Sequence, residues 1–471
     1  RSDKDDKYAG AYVKEPIPGK YDWVVSFDLN SLYPHLIMQY NISPETLVEK
    51  RHPSATVNKI LSQKIDIPKE YAVCANGAMY RKDIHGFLPE IMQKIYDERV
   101  QSKQLMLVAK QAYEKTPTKD LEKKISKYNN IQMARKIQLN SAYGAIGNQY
   151  FRYYNLKNAE AITMSGQVSI RWIEHEMNLY LNKILKTEKE DYVIASDTDS
   201  IYLNLGPLVE GVYKGREKTD KSVVSFLDKI CSLELEKHIS RSYKALAAYV
   251  NAYDQKMIMK RENIASTGIW TAKKRYMLNV WDSEGVRYDE PKLKMMGIEA
   301  VKSSTPAPCR TAIKNAIQVM MNGTEDDLLS YIDTFKSEFN SLPPEDIAFP
   351  RSVNGLRKFK ASGTVYSKGC PLHVRGTLLY NFYIAKNKLE YKYPLVQEGE
   401  KIKYAYLLRP NPLGNENVIS FLNTFPRELD LAESIDRDAQ FKKSFLDPLR
   451  IISDVIGWDI ERVPNLEFLF A

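Results

Sequence analysis

Hydrophobic and polar residues follow strand-like and helix-like periods along this chain, and the first switch between the two lies near residue 30. Residues 22–27, DWVVSF, are mostly apolar or β-branched and predict a strand. Residues 32–40, LYPHLIMQY, predict a helix, because Asn30 and Ser31 can cap its start and Pro34 suits its first turn. We therefore expect a strand that leads directly into a helix N-terminus.

Helical periodicity dominates the region that follows. Amphipathic patterns predict helices over about residues 89–115 and 119–140, with Pro117 in the turn between them. Two long helices joined by so short a turn form an antiparallel hairpin. A further helix is predicted over residues 158–186.

Strand-like patterns return in the middle of the chain. Residues 191–205, DYVIASDTDSIYLNL, predict two short strands joined by a turn, and a helical region follows at about 220–250. Polar and apolar residues alternate over 269–297, which predicts a β-hairpin turning at DSEG, residues 282–285. Beyond SSTPAP, residues 303–308, the pattern is mostly helical. These elements predict an α+β body followed by a C-terminal domain.

Composition indicates a class of partner. The chain has 471 residues, 44% of them hydrophobic, and a net charge of +9, which favours nucleic acid as partner and an acidic membrane surface as the second choice. Its four cysteines form no C-x-x-C pair, so we expect neither a disulfide framework nor a structural zinc site. No apolar run is long enough to cross a bilayer.

Carboxylates mark two of the predicted turns. Asp197 and Asp199 lie between apolar strands in a turn without glycine, although a solvated Asx-rich turn is an alternative interpretation. Asp28 ends the first strand, where the next helical turn offers N–H groups to an anion, unless Asp28 merely caps that helix. Together, Asp28 and Asp199 could hold two Mg²⁺ ions about 4 Å apart beside a phosphate.

Cations follow one face of the predicted helical hairpin. Arg99 and Lys103 lie four residues apart on the first helix and share a face. The second helix continues with a cation, an amide, an aromatic ring and a glycine: Lys136, Asn140, Tyr143 and Gly144. A triphosphate would suit this stripe, whereas a solvated charged face is the favoured alternative for Arg99 and Lys103 taken alone.

A second cationic cluster lies in TAKKRY, residues 271–276, within a strand pattern. Lys273, Lys274 and Arg275 cannot all reach one ligand, because adjacent strand residues face opposite sides. A subset could contact DNA phosphates, and a solvated edge strand has equal weight.

These stretches, in this order, resemble the polymerase portion of family B DNA polymerases, particularly those of large tailed bacteriophages. The resemblance rests on three motifs and their flanks: DLNSLYP at 28–34, KIQLNSAYG at 136–144, SDTDS at 196–200, YAGAYVKEPIP at 8–18, NISPETL at 41–47, TAKKRYMLNVWD at 271–282 and EPKLKMMGIEAVKSSTP at 290–306. It covers most of the chain and weakens after about residue 325.

The resemblance implies an α+β, right-hand architecture. Its parts would be an antiparallel-sheet palm, helical-hairpin fingers, a second palm segment and a mainly helical thumb with a C-terminal tail: residues 1–85, 86–148, 149–296 and 297–471. Family members carry an N-terminal domain and a 3′–5′ exonuclease ahead of the palm. We expect both to be absent from this chain, because it starts at the edge of the palm and DIE at 459–461 comes too late to supply the exonuclease acids.

The resemblance also implies roles for individual residues. Asp28 and Asp199, with Leu29, would bind metal, while Asp197 matches an acid beside the site with a less direct role and Glu262 matches another nearby acid. The triphosphate would be held by four side chains and by the backbone of one segment: Arg99, Lys103, Lys136 and Asn140, and Leu29, Ser31 and Leu32. Tyr33 would be the steric gate that excludes a ribose 2′-OH.

Contacts with DNA and with a sliding clamp are implied in the same way. Tyr143 and Gly144 would check the nascent base pair, Lys274 and Tyr276 would contact the primer, and Tyr8 would contact the template. Lys273 and Arg275 are further candidate DNA contacts. Leu466, Leu469 and Phe470 resemble a hydrophobic clamp-binding tail, although a tail packed on its own thumb is an alternative.

The expected activity is template-directed addition of dNTPs to a primer 3′-OH with two Mg²⁺ ions and without proofreading. The setting would be phage DNA replication, in the cytoplasm of the infected bacterium. One alternative is a polymerase-like DNA-binding subunit that is active only with a separate N-terminal and exonuclease chain. Another is a template-independent nucleotidyltransferase, which also uses paired carboxylates.

Overall fold

The computed structural model describes residues 10–298 and 301–461. The chain divides into two compact units, the first ending at Lys294 and the second beginning at Met295. Four of the predicted contact residues lie outside the described residues: Tyr8, Leu466, Leu469 and Phe470. Their roles stay predictions.

The first unit contains helices α1 to α8 and strands β1 to β8, the last of which extends two residues beyond Lys294. The strands are β1 Gly19–Leu29, β2 Tyr71–Val73, β3 Met79–Arg81, β4 Val193–Asp197, β5 Ser200–Asn204, β6 Met259–Ala272, β7 Arg275–Ser283 and β8 Val286–Met296. The helices are α1 Leu32–Tyr40, α2 Val57–Leu61, α3 Phe87–Lys115, α4 Lys119–Ile146, α5 Leu156–Leu185, α6 Gly206–Tyr213, α7 Asp220–Ile230 and α8 Glu236–Tyr249. A π-helical turn, Cys231–Leu235, joins α7 to α8.

A six-stranded sheet forms the centre of this unit, in the order β4-β5-β1-β6-β7-β8. Strand β1 pairs antiparallel with both β5 and β6, although these strands are far apart in the sequence. Its alternating side chains enter two clusters: Val25 and Phe27 join the main core, and Val24 joins a smaller one with Trp270 and Leu278. The DWVVSF run is therefore apolar because both faces of β1 are covered.

Helices α3 and α4 form the predicted antiparallel hairpin. Thr118 caps α4, because its side chain accepts a hydrogen bond from the Leu121 amide (3.2 Å). The expected end of α4 near residue 140 was too early, since the helix continues through Gly144 to Ile146. Glycine costs about 1 kcal/mol in a helix, and burial of Leu139 and Ile146 offsets that cost.

Two local expectations are corrected. Ser31 precedes α1 with φ 40°, and its side chain does not cap the helix. Lys273 and Lys274 do not lie within a strand; they form the turn between β6 and β7, with Lys274 at φ 58°. Ser31 is held left-handed by the hydrogen bond from Arg99, whereas Lys274 is left-handed because a two-residue hairpin turn requires positive φ. The second hairpin, β7–β8, turns at Glu284 and Gly285 as predicted.

The second unit is mainly helical and also contains a three-stranded sheet. Its helices are α9 Ala307–Asn322, α10 Glu325–Ser341, α11 Pro344–Ile347, α12 Leu356–Phe359, α13 Leu372–Lys386, α14 Arg437–Phe441 and α15 Asp447–Ser453. Its strands, β9 Phe349–Ser352, β10 Lys401–Tyr406 and β11 Val418–Phe421, are ordered β11-β10-β9. In the described part of the chain, no helix combines the length and apolar character needed to cross a bilayer.

Candidate active site

The two predicted metal-binding carboxylates lie side by side, Asp28 on β1 and Asp199 in the turn between β4 and the neighbouring strand β5. Asp28 is paired in register with Ser200, and the Leu29 amide donates a hydrogen bond to the Asp199 carbonyl (2.8 Å). Asp28 and Asp199 line one cavity of about 340 Å³. The other residues that line it are Leu29, Asn30, Ser31, Leu32, Tyr33, Arg99, Lys103, Lys136, Asn140, Tyr143 and Thr198.

Burial and like charges perturb both carboxyls. Burial first, and then the charges of Asp199 and Glu262, raise the pKa of Asp28 to about 8. Burial, together with the charges of Asp197 and Glu262, raises the pKa of Asp199 to about 6 against the opposing field of Lys136. Two carboxyls so placed repel each other, and a divalent cation would relieve that repulsion.

This donor set fits Mg²⁺. Within the described residues, no group of three or more His, Cys, Asp or Glu side chains is arranged to hold a metal ion. Mg²⁺ is usually bound by one or two carboxylates, water and substrate phosphates, so a dedicated protein cage is not required. Asp28 and Asp199 provide the carboxylates, and the backbone carbonyl of Leu29 is the predicted third ligand.

The turn that carries Asp199 is held in an uncommon conformation. Thr198 has φ 58°, and the Asp199 amide donates back to the Asp197 carbonyl (2.6 Å). The N-terminal segment supports this turn from the outside, because the Thr198 amide donates to the Tyr12 carbonyl (2.9 Å). That segment also covers the exposed edge of β4, the terminal strand of the sheet.

Lys14 anchors the supporting segment, a role that its place in the flank YAGAYVKEPIP did not predict. Its ammonium group donates to the Val193 carbonyl (2.6 Å) and to Asp191, and it lies 3.2 Å from Glu174 on α5. Its backbone amide donates to the Ser196 carbonyl (2.9 Å). Lys14 therefore joins the Asp199 turn to the helix behind it.

Arg99 is a half-buried cation with unused hydrogen-bonding capacity. Its Nη1 donates to Ser31 Oγ (2.6 Å), which explains why the Ser31 side chain does not cap α1. Its Nε is buried and has no hydrogen-bond partner among the described residues. Burial lowers the pKa of Arg99. A buried guanidinium N–H without an acceptor is costly, and a phosphate oxygen is the acceptor such a group favours.

The backbone cradle needs one correction. The Leu29 amide donates to the Asp199 carbonyl (2.8 Å) and the Asn30 amide donates to the Ile258 carbonyl (3.0 Å), so neither amide hydrogen is left for a phosphate. Ser31 and Leu32 remain candidates, because amides at the first turn of a helix have no intrahelical acceptor. Lys136 and Asn140 extend from α4 into the same cavity.

Aromatic rings form the side of the cavity where a sugar and base would lie. The rings of Tyr33 and Tyr143 are 4.7 Å apart, centre to centre. Gly166 of α5 lies under Tyr33, and a Cβ there would come within 3.4 Å of that ring. Gly144 has open space beside it, since an added Cβ would meet no atom within 4 Å. This leaves room for a flat group next to Tyr143.

The remaining predicted residues lie nearby but outside the cavity. Lys274 is 3.3 Å from Asp197, at the tip of the β6–β7 turn, whereas Lys273 pairs with Glu15 (3.0 Å). The other two are Arg275, exposed at the start of β7, and Glu262, 3.2 Å from Lys294. Asp197 does not line the cavity.

Tyr276 has a different environment from the exposed one expected for a primer contact. It is buried, its ring stacks on Trp270 at 5.3 Å, and its hydroxyl lies 2.6 Å from the Tyr202 hydroxyl. The structure thus gives Tyr276 packing partners within the sheet, and its primer contact stays a prediction.

Glu284 was missed by the sequence interpretation. Its carboxylate forms an ion pair with Lys103, one of the predicted triphosphate ligands. Glu284 lies at the tip of the β7–β8 turn, and only the folded sheet brings that turn to α3. No local sequence signal could have identified this pair.

Comparison with known proteins gives a consistent set of similarities. A family model described as DNA polymerase family B matches residues 1–436. The DNA-directed DNA polymerase of Escherichia phage RB69 is 35% identical over 100% of this chain and 57% of its own length. That of Enterobacteria phage T4 is 34% identical over 98% of this chain and 57% of its own length. A DNA polymerase from Pyrococcus glycovorans is 26% identical over 79% of this chain and 40% of its own length. The chain thus spans little more than half the length of these phage relatives.

Proposed function

Because the chain belongs to family B of the DNA polymerases, we propose that it extends a DNA primer along a template by adding deoxynucleotides to the 3′-hydroxyl group. The observation that carries this proposal is the single cavity in which Asp28 and Asp199 face the cations of α3 and α4. The phage relatives, named DNA-directed DNA polymerases, support phage DNA replication in the host cytoplasm as the setting.

Asp28, Asp199 and the Leu29 carbonyl would hold two Mg²⁺ ions. When bound, these ions would lower the pKa of the primer hydroxyl and neutralise charge on the triphosphate. Arg99, with its unpartnered buried Nε, would bind a phosphate oxygen that replaces the lost solvation of the guanidinium.

The rest of the cavity would orient the nucleotide. Lys103, Lys136 and Asn140 would hold the triphosphate from the hairpin side, and the first-turn amides of α1 would hold it from the sheet side. Tyr33, fixed between Tyr143 and Gly166, would exclude a 2′-hydroxyl.

The contacts with DNA and with protein partners belong to the same proposal. Tyr143 and Gly144 would lie against the nascent base pair, and Lys274 would lie against the primer. A sliding clamp that binds Leu466, Leu469 and Phe470, and a separate exonuclease chain that supplies proofreading, are the proposed partners.

Primer extension with Mg²⁺ tests the central proposal. The wild-type chain should extend a labelled primer only when a template is present, and Asp199→Ala should abolish extension. Asp22→Ala is the matched control, because Asp22 is an exposed acid on the same strand as Asp28. Extension by Asp199→Ala at the wild-type rate would refute the assignment, and extension without template would favour the nucleotidyltransferase alternative.

A second candidate is a subunit that is active only with a separate chain. The observation that favours it is the chain's span of 57% of the length of its phage relatives. Extension by the isolated chain would exclude this candidate. Inactivity alone, with activity restored by a polypeptide carrying the N-terminal and exonuclease portion, would establish it.

A further inference from the structure

One of the proposed triphosphate ligands, Lys103, already forms an ion pair with a carboxylate of the protein. Lys103 Nζ on α3 is ion-paired with Glu284 at the β7–β8 turn, and each side chain retains about a third of its exposure (31% and 34%). Lys103 also lines the cavity that contains Asp28 and Asp199. The same ammonium group is therefore shared between an internal anion and the place proposed for phosphate.

The turn that presents Glu284 is firmly held. The Glu284 amide donates to the Glu262 carbonyl (2.6 Å), and the Gly285 amide donates to Asp282 Oδ1 (3.0 Å). Asp282 is buried and paired with Arg261 and with Arg287, whose Nε lies 2.8 Å from it. A fixed turn keeps the Glu284 carboxylate at Lys103 at little further entropic cost.

Strand β8 continues along the same helix. The Arg287 amide donates to Gln111 on α3 (3.2 Å), and Lys292 pairs with Glu114 on α3 (2.6 Å). The Glu284–Lys103 pair is thus one end of a seam between this strand and α3. Its position is set by the fold and does not depend on one flexible side chain.

The pair also lies where two cavities meet. A second cavity of about 450 Å³ is lined by Glu284, Lys260 and Arg261, and it shares Asn30, Arg99 and Lys103 with the catalytic cavity. A phosphate leaving the catalytic cavity on this side would pass both Lys103 and Glu284.

We propose that Glu284 is an internal counter-ion that competes with the triphosphate for Lys103, weakening nucleotide binding and promoting the release of pyrophosphate through the second cavity. This inference rests on the proposed polymerase function. An ammonium group has three donors and can approach both anions. Repulsion between the Glu284 carboxylate and a polyphosphate opposes that shared state, so Glu284 returns to Lys103 as the product leaves.

Removal of this one charge tests the inference. Glu284→Gln should lower both the KM for dNTP and the inhibition constant of pyrophosphate. Each should fall by roughly two- to five-fold, because a partly exposed ion pair contributes only a modest interaction energy. The effect should shrink as salt rises toward 1 M, where the Debye length falls to about 3 Å. Asp289→Asn, which removes an exposed acid from β8, the strand that follows the Glu284 turn, is the matched control and should change neither constant.

A double-mutant cycle separates competition for Lys103 from a general change in field. In a Lys103→Met background, Glu284→Gln should no longer change either constant, because the shared cation is gone. An unchanged KM in Glu284→Gln, an equal change in Asp289→Asn, or a full effect in the Lys103→Met background would each overturn the inference.

Binding of magnesium pyrophosphate, measured by calorimetry, keeps this test independent of turnover. Tighter binding by Glu284→Gln than by wild type supports the counter-ion role, and equal binding rejects it. Failure of wild type and Asp289→Asn to extend a primer would instead count against the proposed function.

Discussion

Asp28 should make the metal-free protein less stable as pH rises, and Asp28→Asn should remove that dependence. The pKa of Asp28 is raised by burial and by Asp199 from 3.8 to about 8, so the folded chain binds this proton more tightly than the unfolded chain. Between these values the unfolded state holds fewer protons, and the free energy of unfolding therefore falls as pH rises.

The size of this effect follows from the same values. At 1.36 kcal/mol per pKa unit, the free energy of unfolding would fall by at most about 6 kcal/mol between the unfolded and folded pKa values of Asp28. Because the cavity opens to solvent, water and small movements should reduce the loss to about 3 kcal/mol. For a unit of this size, that corresponds to a change in Tm of about 5–10 °C.

Thermal melting in EDTA from pH 5 to pH 8 measures this loss of stability. Wild type should lose stability across this range, whereas Asp28→Asn should keep only the smaller loss due to Asp199, which ends near pH 6, and should melt above wild type at pH 8. Asp22→Asn is the control on the same strand, and Mg²⁺ should raise the melting temperature of wild type at pH 8 but not that of Asp28→Asn. Equal pH slopes for wild type and Asp28→Asn would refute the electrostatic account.

Three further outcomes are expected. Tyr33→Ala should admit ribonucleotides, raising their relative kcat/KM by at least about tenfold, since the ring no longer blocks the 2′-position; unchanged sugar discrimination in competitive incorporation would count against the gate. Arg99→Lys should raise the KM for dNTP by about tenfold, because a lysine cannot make forked contacts with phosphate; a wild-type KM would contradict this role. Lys14→Met should lower kcat by roughly tenfold with little change in KM, and Lys14→Arg should restore most of it; a loss confined to melting temperature would make Lys14 purely structural.

Local pattern was enough to predict the elements that hold the proposed active-site residues. The apolar runs around Asp28 and Asp199 predicted strands ending at carboxylates, and the helical period of residues 89–140 predicted the hairpin. Both appear as β1, β4–β5 and α3–α4. These features depend on periodicity within one segment, which a sequence displays directly.

The features that could not be predicted from the sequence arise where segments distant in the chain come into contact. The placement of β1 between β5 and β6 follows from long-range pairing, and so does the bond that occupies the Leu29 amide. Lys14 lies in a flank of the motifs and Glu284 in a predicted turn, both without a predicted role, and only the folded sheet brings them to the Asp199 turn and to Lys103. The left-handed Ser31 is likewise held by its contact with Arg99.

Single-turnover primer extension by Asp28→Asn, Asp199→Asn and the double variant tests the central claim most directly. If the two carboxylates act as one metal-binding unit, each single change should lower the rate by at least about a thousandfold, and the double variant should be no slower than the worse single variant. Rates in either single variant that remain near those of wild type and Asp22→Asn, or losses that multiply in the double variant, would contradict the account.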